Sequence, residues 1–326
     1  MLTNSSKSPA DNKNTSPRDD DFTIPAAITD AGLERELNED RYAVIDSRSG
    51  LAWLVCDGMG GAAGGELAAQ LAIESIRSEL EALPPRAPEE AIVGSIQESN
   101  RLIVLRRQNP LFSQMGTTVV GAIFYPPEVV IAHAGDSRAY LIRDGSIEQL
   151  TVDHTYVQEL VDRGEIRHED ALTHPEAHVL TRCIGSEPSL RVDTKRLWIW
   201  PTKDEGSGDV LLLCTDGLYS QVDDSEIASL ATANSPQRAC ALLVELAKAR
   251  GGYDNITVAI IPLGGELRDK PPVGFKEGAH IKRMRAQSGD GQVVERGPKR
   301  DVFIIVMLGL LSSLLTIVVF LFFVSQ

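Results

Sequence analysis

Through the middle of the chain, short apolar runs alternate with clusters of turn-forming residues. Leu51–Cys56 (LAWLVC), Thr117–Phe124 (TTVVGAIF), Val129–Ala134 (VVIAHA), Ala139–Arg143 (AYLIR), Val210–Cys214 (VLLLC) and Ile256–Pro262 (ITVAIIP) are short and rich in branched side chains, which predicts β-strands. Asp144-Gly145, between AYLIR and SIEQL, supplies two residues that tolerate positive φ, so a type I′ hairpin is expected there. Two stretches follow the helical period instead. Ala69, Ile73, Ile76 and Leu80 recur at i, i+4, i+7 and i+11 after a glycine-rich loop, and Ala239–Arg250 is a second segment, stopped by Gly251-Gly252. Strands that pair locally, with a few long helices between them, predict an α+β fold of antiparallel sheets packed with helices.

The same pattern divides the chain. Residues 1–22 are rich in Ser, Asn, Asp, Lys and Pro and lack any apolar period, so a disordered tail is expected. Residues 23–264 carry the strands and helices and form the folded domain. Residues 265–301 hold Pro, Gly and a series of basic residues from Lys270 to Arg300, the composition of a linker. Val302–Val324 then runs without a charge. At roughly 1.5 Å per residue a helix over it spans about 34 Å, enough for a hydrocarbon core of about 30 Å. The basic residues lie on its N-terminal side, which places that side in the cytoplasm. The expectation is a single-pass membrane protein, held by one C-terminal transmembrane helix, with its folded domain facing the cytoplasm.

Charge and cysteine content narrow the chemistry. With 32 basic and 46 acidic residues the formal net charge is −14, which disfavours nucleic acid as a partner and suits divalent cations, whose ligands are oxygens. Cys56, Cys183, Cys214 and Cys240 form no C-x-x-C pair and no zinc spacing. Cys56 and Cys214 sit inside apolar runs and read as small buried hydrophobes in a reducing compartment.

One feature recurs along the domain. An apolar strand runs out, and the next polar residue is an aspartate followed by Gly or Ser: LVCDG ends at Asp57, LLLCTDG at Asp216, IAHAGDS at Asp136. A fourth, Asp254 in GGYDN, precedes the strand ITVAII. Taken singly, each is a turn or cap residue. Together they sit where neighbouring strand ends can converge. Crowded carboxylates repel one another, and hard divalent cations relieve the conflict. Two such cations sharing an aspartate and a water lower the pKa of that water, which becomes a nucleophile for in-line attack on phosphorus.

These residues carry a resemblance. Asp57-Gly58-Met59-Gly60-Gly61, Met115-Gly116-Thr117-Thr118, Gly135-Asp136-Ser137-Arg138, Cys214-Thr215-Asp216-Gly217 and Asp254-Asn255-Ile256-Thr257 resemble, in order, the motifs of the metal-dependent (PPM, type 2C) serine/threonine protein phosphatases, most closely the bacterial branch. Arg35-Glu36-Leu37-Asn38-Glu39-Asp40 is similar to the family's opening motif. The resemblance implies a central sandwich of two antiparallel β-sheets flanked by α-helices. It also implies two Mn²⁺ or Mg²⁺ ions. Asp57 would bridge them, the Gly58 carbonyl would ligate one, and Asp216 and Asp254 would hold the other. Glu39 and Asp40 would act through metal-bound waters, Asn255 would orient its neighbour or a water, and Asp136 with Asp216 matches a third, weaker metal site. Arg35 matches the phosphate-binding arginine, whose planar fork takes two phosphate oxygens. The substrates implied are proteins carrying phosphoserine or phosphothreonine, with a membrane-bound serine/threonine kinase as the natural counterpart.

There is one departure from the animal members, which place a histidine directly after the Asp-Gly pair as the proposed general acid. Here that position is Met59, which has no proton to donate. His154 is a weaker candidate for the role. It opens the stretch Asp153–His178, which resembles the mobile flap beside the family's active site. Other mechanisms lack their signatures. No cysteine has an arginine six positions on, as a cysteine phosphatase requires. Asp19-Asp20-Asp21-Phe22-Thr23 has the letters of an aspartyl-phosphate motif but follows a polar tail. A pseudophosphatase that only binds phosphoprotein would be expected to lack a metal aspartate. A phosphatase for a small-molecule phosphate stays open, because the site reads metal and phosphate more than the leaving group.

Overall fold

The structure, a computed structural model, describes residues 21–61, 64–202, 208–272 and 275. Residues 1–20, most of the basic linker and the apolar stretch 302–324 lie outside the described residues. Among the described residues no helix is long and apolar enough to cross a membrane.

Two antiparallel sheets pack face to face. One has the order β1 (Ala26–Asp30), β12 (Ile256–Pro262), β11 (Val210–Cys214), β8 (Arg138–Arg143), β9 (Ser146–Gln149). The other runs β13 (Gly265–Arg268), β10 (Asp193–Pro201), β7 (Glu128–Ala134), β6 (Val119–Tyr125), β3 (Gly50–Cys56), β2 (Arg41–Ser47). A two-stranded ribbon pairs β4 (Gly58–Met59) with β5 (Gly116–Thr117). The helices are α1 (Gly64–Leu80), α2 (Pro88–Arg106), α3 (Tyr156–Asp162), α4 (Asp216–Tyr219), α5 (Asp224–Ala233) and α6 (Pro236–Ala249). The expected hairpin joins β8 to β9, with Asp144 at φ 49° and Gly145 at φ 77°.

The central strands are apolar on both faces because both faces are covered. Val55, Val120, Leu211 and Leu213 point between the sheets. Leu54 and Ile123, on the opposite face, pack under Ile76, Ile92 and Ile96 of α1 and α2. Leu212 and Ile260 pack under Leu243 and Val244 of α6. The helix α2 is absent from the periodicity reading because buried Ser95, Ser99 and Asn100 interrupt its apolar stripe. The boundary expected at residue 264 also moves. Gly265–Arg268 forms the edge strand β13 against β10, so the first residues assigned to the linker belong to the sheet. Four residues with one buried apolar side chain, Leu267, are too few to show a strand period.

The topology brings the aspartates to one end. In the six-stranded sheet β3 and β7 both lie antiparallel to β6, so they run the same way and finish together. In the other sheet the C-terminal end of β11 lies beside the starts of β8 and β12, with Cys214 opposite Arg138 and Val258. The chain crosses between sheets at Gly135-Asp136-Ser137, which sets Asp136 at the same end as Asp57, Asp216 and Asp254.

Candidate metal centre

A cleft of about 520 Å³ opens at this end of the sandwich, lined among others by Arg35, Glu39, Asp57, Gly58, Asp136, Asp216 and Asp254. Asp40 and Asn255 lie beneath it, buried. The Asp57 backbone is fixed on three sides. Its N–H donates to Thr118 Oγ1 at 2.9 Å, while its carbonyl accepts from the Thr118 N–H and the Thr117 hydroxyl, both at 2.8 Å. That is the local work of the Met115–Thr118 motif. Gly58 follows in close contact with the N-terminus of α1: a Cβ there would strike the Gly65 carbonyl.

Asp216 opens α4 directly after β11, and Gly217 packs against the Asn255 carbonyl with no room for a Cβ. Asp254 accepts from its neighbour's N–H (2.8 Å) through Oδ1 and pairs with Arg35 Nη2 (2.8 Å) through Oδ2. Asn255 ties down the loop that precedes β2. Its Oδ1 accepts the Glu39 N–H at 2.7 Å, and its Nδ2 donates to the carbonyls of Ala31 and Leu37 at 3.0 and 2.9 Å. It therefore positions the Arg35–Asp40 segment as a whole. Asp40 Oδ2 accepts the hydroxyls of Thr215 and Thr257 at 2.8 and 2.7 Å.

The electrostatics are unfavourable for the protein alone. Burial first, and then the charges of Asp40, Asp216, Asp136 and Asp254, push the Asp57 carboxyl well above its ordinary range. Burial and Asp216 do the same to Asp136. Burial raises Asp40 to about 7 against the pull of its two threonine bonds. Two buried carboxylate oxygens, Asp40 Oδ1 and Asp216 Oδ1, have no hydrogen-bond partner among the described residues. Buried oxygens without donors are costly, and crowded carboxylates with a carbonyl beside them are the donor set of a hard divalent cation. The residues fit such a group.

Two side chains stand differently from expectation. His154 is buried and does not line the cleft, so it is not placed to protonate a leaving group. His178, at the other end of the same stretch, lines the cleft with Nδ1 3.5 Å from Asp216 Oδ2. Nothing in its spacing announced this, because the segment between Thr155 and Leu180 returns to its starting point through a β-bridge that sequence does not encode locally. The Met59 thioether lines the cleft beside Gly58, as expected.

The protein phosphatase 2C family model matches residues 34–248. The serine/threonine phosphatase stp of Listeria welshimeri is 36% identical over 240 residues, covering 72% of this chain and 93% of that one. The crystal structure of the PPM Ser-Thr phosphatase MsPP from Mycobacterium smegmatis, in complex with cacodylate, is similar at a TM-score of 0.63 and 36% identity, over 74% of this chain and 98% of that one. The catalytic domain of the serine/threonine protein phosphatase PstP, in complex with two manganese ions, is similar at a TM-score of 0.61 and 32% identity, over 73% and 96% of the two chains. These matches run through the sandwich that carries the cleft, and the chain is a member of the protein phosphatase 2C family, the metal-dependent serine/threonine protein phosphatases.

Proposed function

We propose that this phosphatase hydrolyses phosphoserine and phosphothreonine in proteins at the aspartate cleft, using two Mn²⁺ or Mg²⁺ ions and a third, weaker one. Asp57, the Gly58 carbonyl, Asp216 and Asp254 would hold the core pair, and Asp136 with Asp216 the third. When bound, the ions supply Lewis acidity at the phosphate oxygens and make water a nucleophile near neutral pH. The protein's own groups orient the reaction. Arg35 is half exposed at the rim, where its fork can take two phosphate oxygens. Glu39 and Asp40 would act through metal-bound waters, and Asn255 keeps their loop in place. Met59 has no acidic proton to give the leaving alcohol, and that proton would come from water instead. The observation that carries this reading is the pair of buried oxygens on Asp40 and Asp216 that have no hydrogen-bond partner among the described residues, beneath converging carboxylates. The test is Mn²⁺-dependent phosphate release from a phosphothreonine peptide. Asp57→Asn and Asp216→Asn should each abolish it, and near-wild-type turnover in either variant would sink the metal assignment.

The composition of residues 265–324 supports a further part of the proposal: a basic linker and one C-terminal membrane helix hold the catalytic domain at the cytoplasmic face of a membrane, opposing a membrane-bound serine/threonine kinase. Full-length protein should sediment with membranes, and a chain ending at residue 272 should stay in the supernatant with its activity on an aryl phosphate intact. A truncated chain that still sediments would overturn the anchor.

A further inference from the structure

Behind the cleft, at the foot of the β7–β8 loop, His133, His154 and Asp193 lie close enough together to suggest a metal site. Their hydrogen bonds point to another role. The Gly135 N–H, which can only donate, points at His154 Nδ1 at 3.0 Å, so Nδ1 is placed as an acceptor. His154 Nε2 faces both Asp193 Oδ2 at 3.2 Å and Arg182 Nη1 at 3.0 Å. The His133 Nε2 donates to the Val152 carbonyl at 2.9 Å.

We propose that His154 is a positioning residue for Asp136, holding the loop before it through its own N–H and through Nδ1 as an acceptor. The inference rests on the reading of Asp136 as a metal ligand. Among the described residues no other side chain bonds to the Asp136 carboxyl, so its direction is set by the backbone on either side. On one side the Tyr219 hydroxyl donates to the Asp136 carbonyl at 3.1 Å. On the other, His154 grips Gly135 twice: its own N–H donates to the Gly135 carbonyl at 3.0 Å, and its Nδ1 accepts the Gly135 N–H. Gly135 is at φ +118°, and a Cβ there would meet the Thr118 side chain. Thr118 holds Asp57 and bonds to Ser137 at 2.6 Å, so the Asp57 and Asp136 arms share one frame, closed from behind by His154.

The outer side of the imidazole meets an ion network. Asp193 also receives Arg182 Nη1 at 2.8 Å and Arg191 Nε at 2.9 Å. The His154 carbonyl accepts the Thr181 N–H at 2.9 Å, and Thr155 caps α3. One residue thus joins the metal-side loop to both feet of the segment that carries His178. A second proton on Nδ1 would point at the Gly135 N–H and break the grip. Burial, then stacked His133 and Arg182, hold His154 down at about 4, which keeps the imidazole neutral across the physiological range.

Three measurements on the full-length protein in detergent test this. In ¹⁵N-histidine spectra of the metal-free wild type, His154 should show a pyridine-like Nδ1 and a pyrrole-like Nε2; the reverse pattern overturns the proposal without any mutation. His154→Ala should speed amide exchange at Gly135 at least tenfold. It should also raise the Mn²⁺ concentration for half-maximal activity at least tenfold, toward that of Asp136→Ala, with KM for a phosphopeptide within twofold. His154→Asn, whose Oδ1 replaces Nδ1 as acceptor, should recover both. Wild-type Mn²⁺ dependence in His154→Ala, beside an impaired Asp136→Ala, defeats the positioning role alone. Wild-type Mn²⁺ dependence in Asp136→Ala defeats the ligand reading beneath it.

Discussion

Two polar clusters meet at the β7–β8 loop. In front of Gly135-Asp136, carboxylates crowd one another, burial raises Asp57, Asp136 and Asp40, and two oxygens find no donor. Behind it, Asp193 accepts from Arg182 and Arg191 and faces His154 Nε2, so opposite charges adjoin. The front cluster is unfavourable until a ligand arrives, and the rear one is satisfied within the chain. A binding site keeps an electrostatic cost that its ligand removes, whereas a scaffold offsets its cost within the chain. The satisfied cluster is what holds the unsatisfied one in shape.

Four experiments separate the two clusters. The largest effect belongs to the front. Asp57→Asn should lower kcat/KM at least about a thousandfold, about 4 kcal/mol of transition-state stabilisation, while the metal-free protein melts no lower than wild type because one buried repulsion is gone. A clear fall in its melting temperature would show that Asp57 stabilises the fold.

Metal should come next. Saturation at about a thousand times Kd adds about 4 kcal/mol of stability, read as a raised melting temperature. Without metal the sign with pH is fixed by the raised carboxyls. The folded state keeps protons that unfolded aspartates release near pH 4, with Asp40 at about 7. Metal-free stability should therefore fall as pH rises from about 4 to about 7, and Mn²⁺ should remove most of that slope. A flat profile in chelator would contradict the crowding.

The rear cluster should show the opposite slope. His154 is neutral in the fold down to about 4, while unfolded histidine takes a proton near 6.5. Its contribution is complete above about pH 6.5 and is lost as pH falls toward 4, up to about 3 kcal/mol. The difference in melting temperature between wild type and His154→Asn isolates it, and should shrink over that interval. The smallest effect is Thr118→Val, which removes the acceptor of the Asp57 N–H. It should cost about 1–3 kcal/mol in chemical denaturation, since it leaves a buried donor unpaired.

How much was legible in advance differs between elements. The strand runs, the β8–β9 hairpin and α1 were readable because each rests on local period or turn chemistry. The helix α2 was not, since Ser99 and Asn100 sit in its buried stripe; Asn100 reaches across to Glu187 and Gly185, a partnership at long range. The edge strand β13 exists only because β10 is there to pair with it. Among the site residues, Asp57, Asp136, Asp216 and Asp254 stood out because each interrupts an apolar run at its end. His178 did not, and His154 stood out only as a candidate proton donor, a role its burial rules out. One gained its place in the cleft, and the other its place behind it, through contacts made by a segment that leaves and returns.

The sequence by itself determined which residue types stand at the strand ends, and hence that the chain carries a hard-cation, phosphate-directed chemistry. Period and end residues are local properties, set by neighbours a few positions apart. Tertiary structure decided which aspartates meet, which oxygens are left without donors among the described residues, and which backbone group His154 Nδ1 faces. Those depend on groups tens to hundreds of residues apart, such as Asp40 with Thr257 and Glu39 with Asn255, brought within hydrogen-bond distance by the stacking of two sheets.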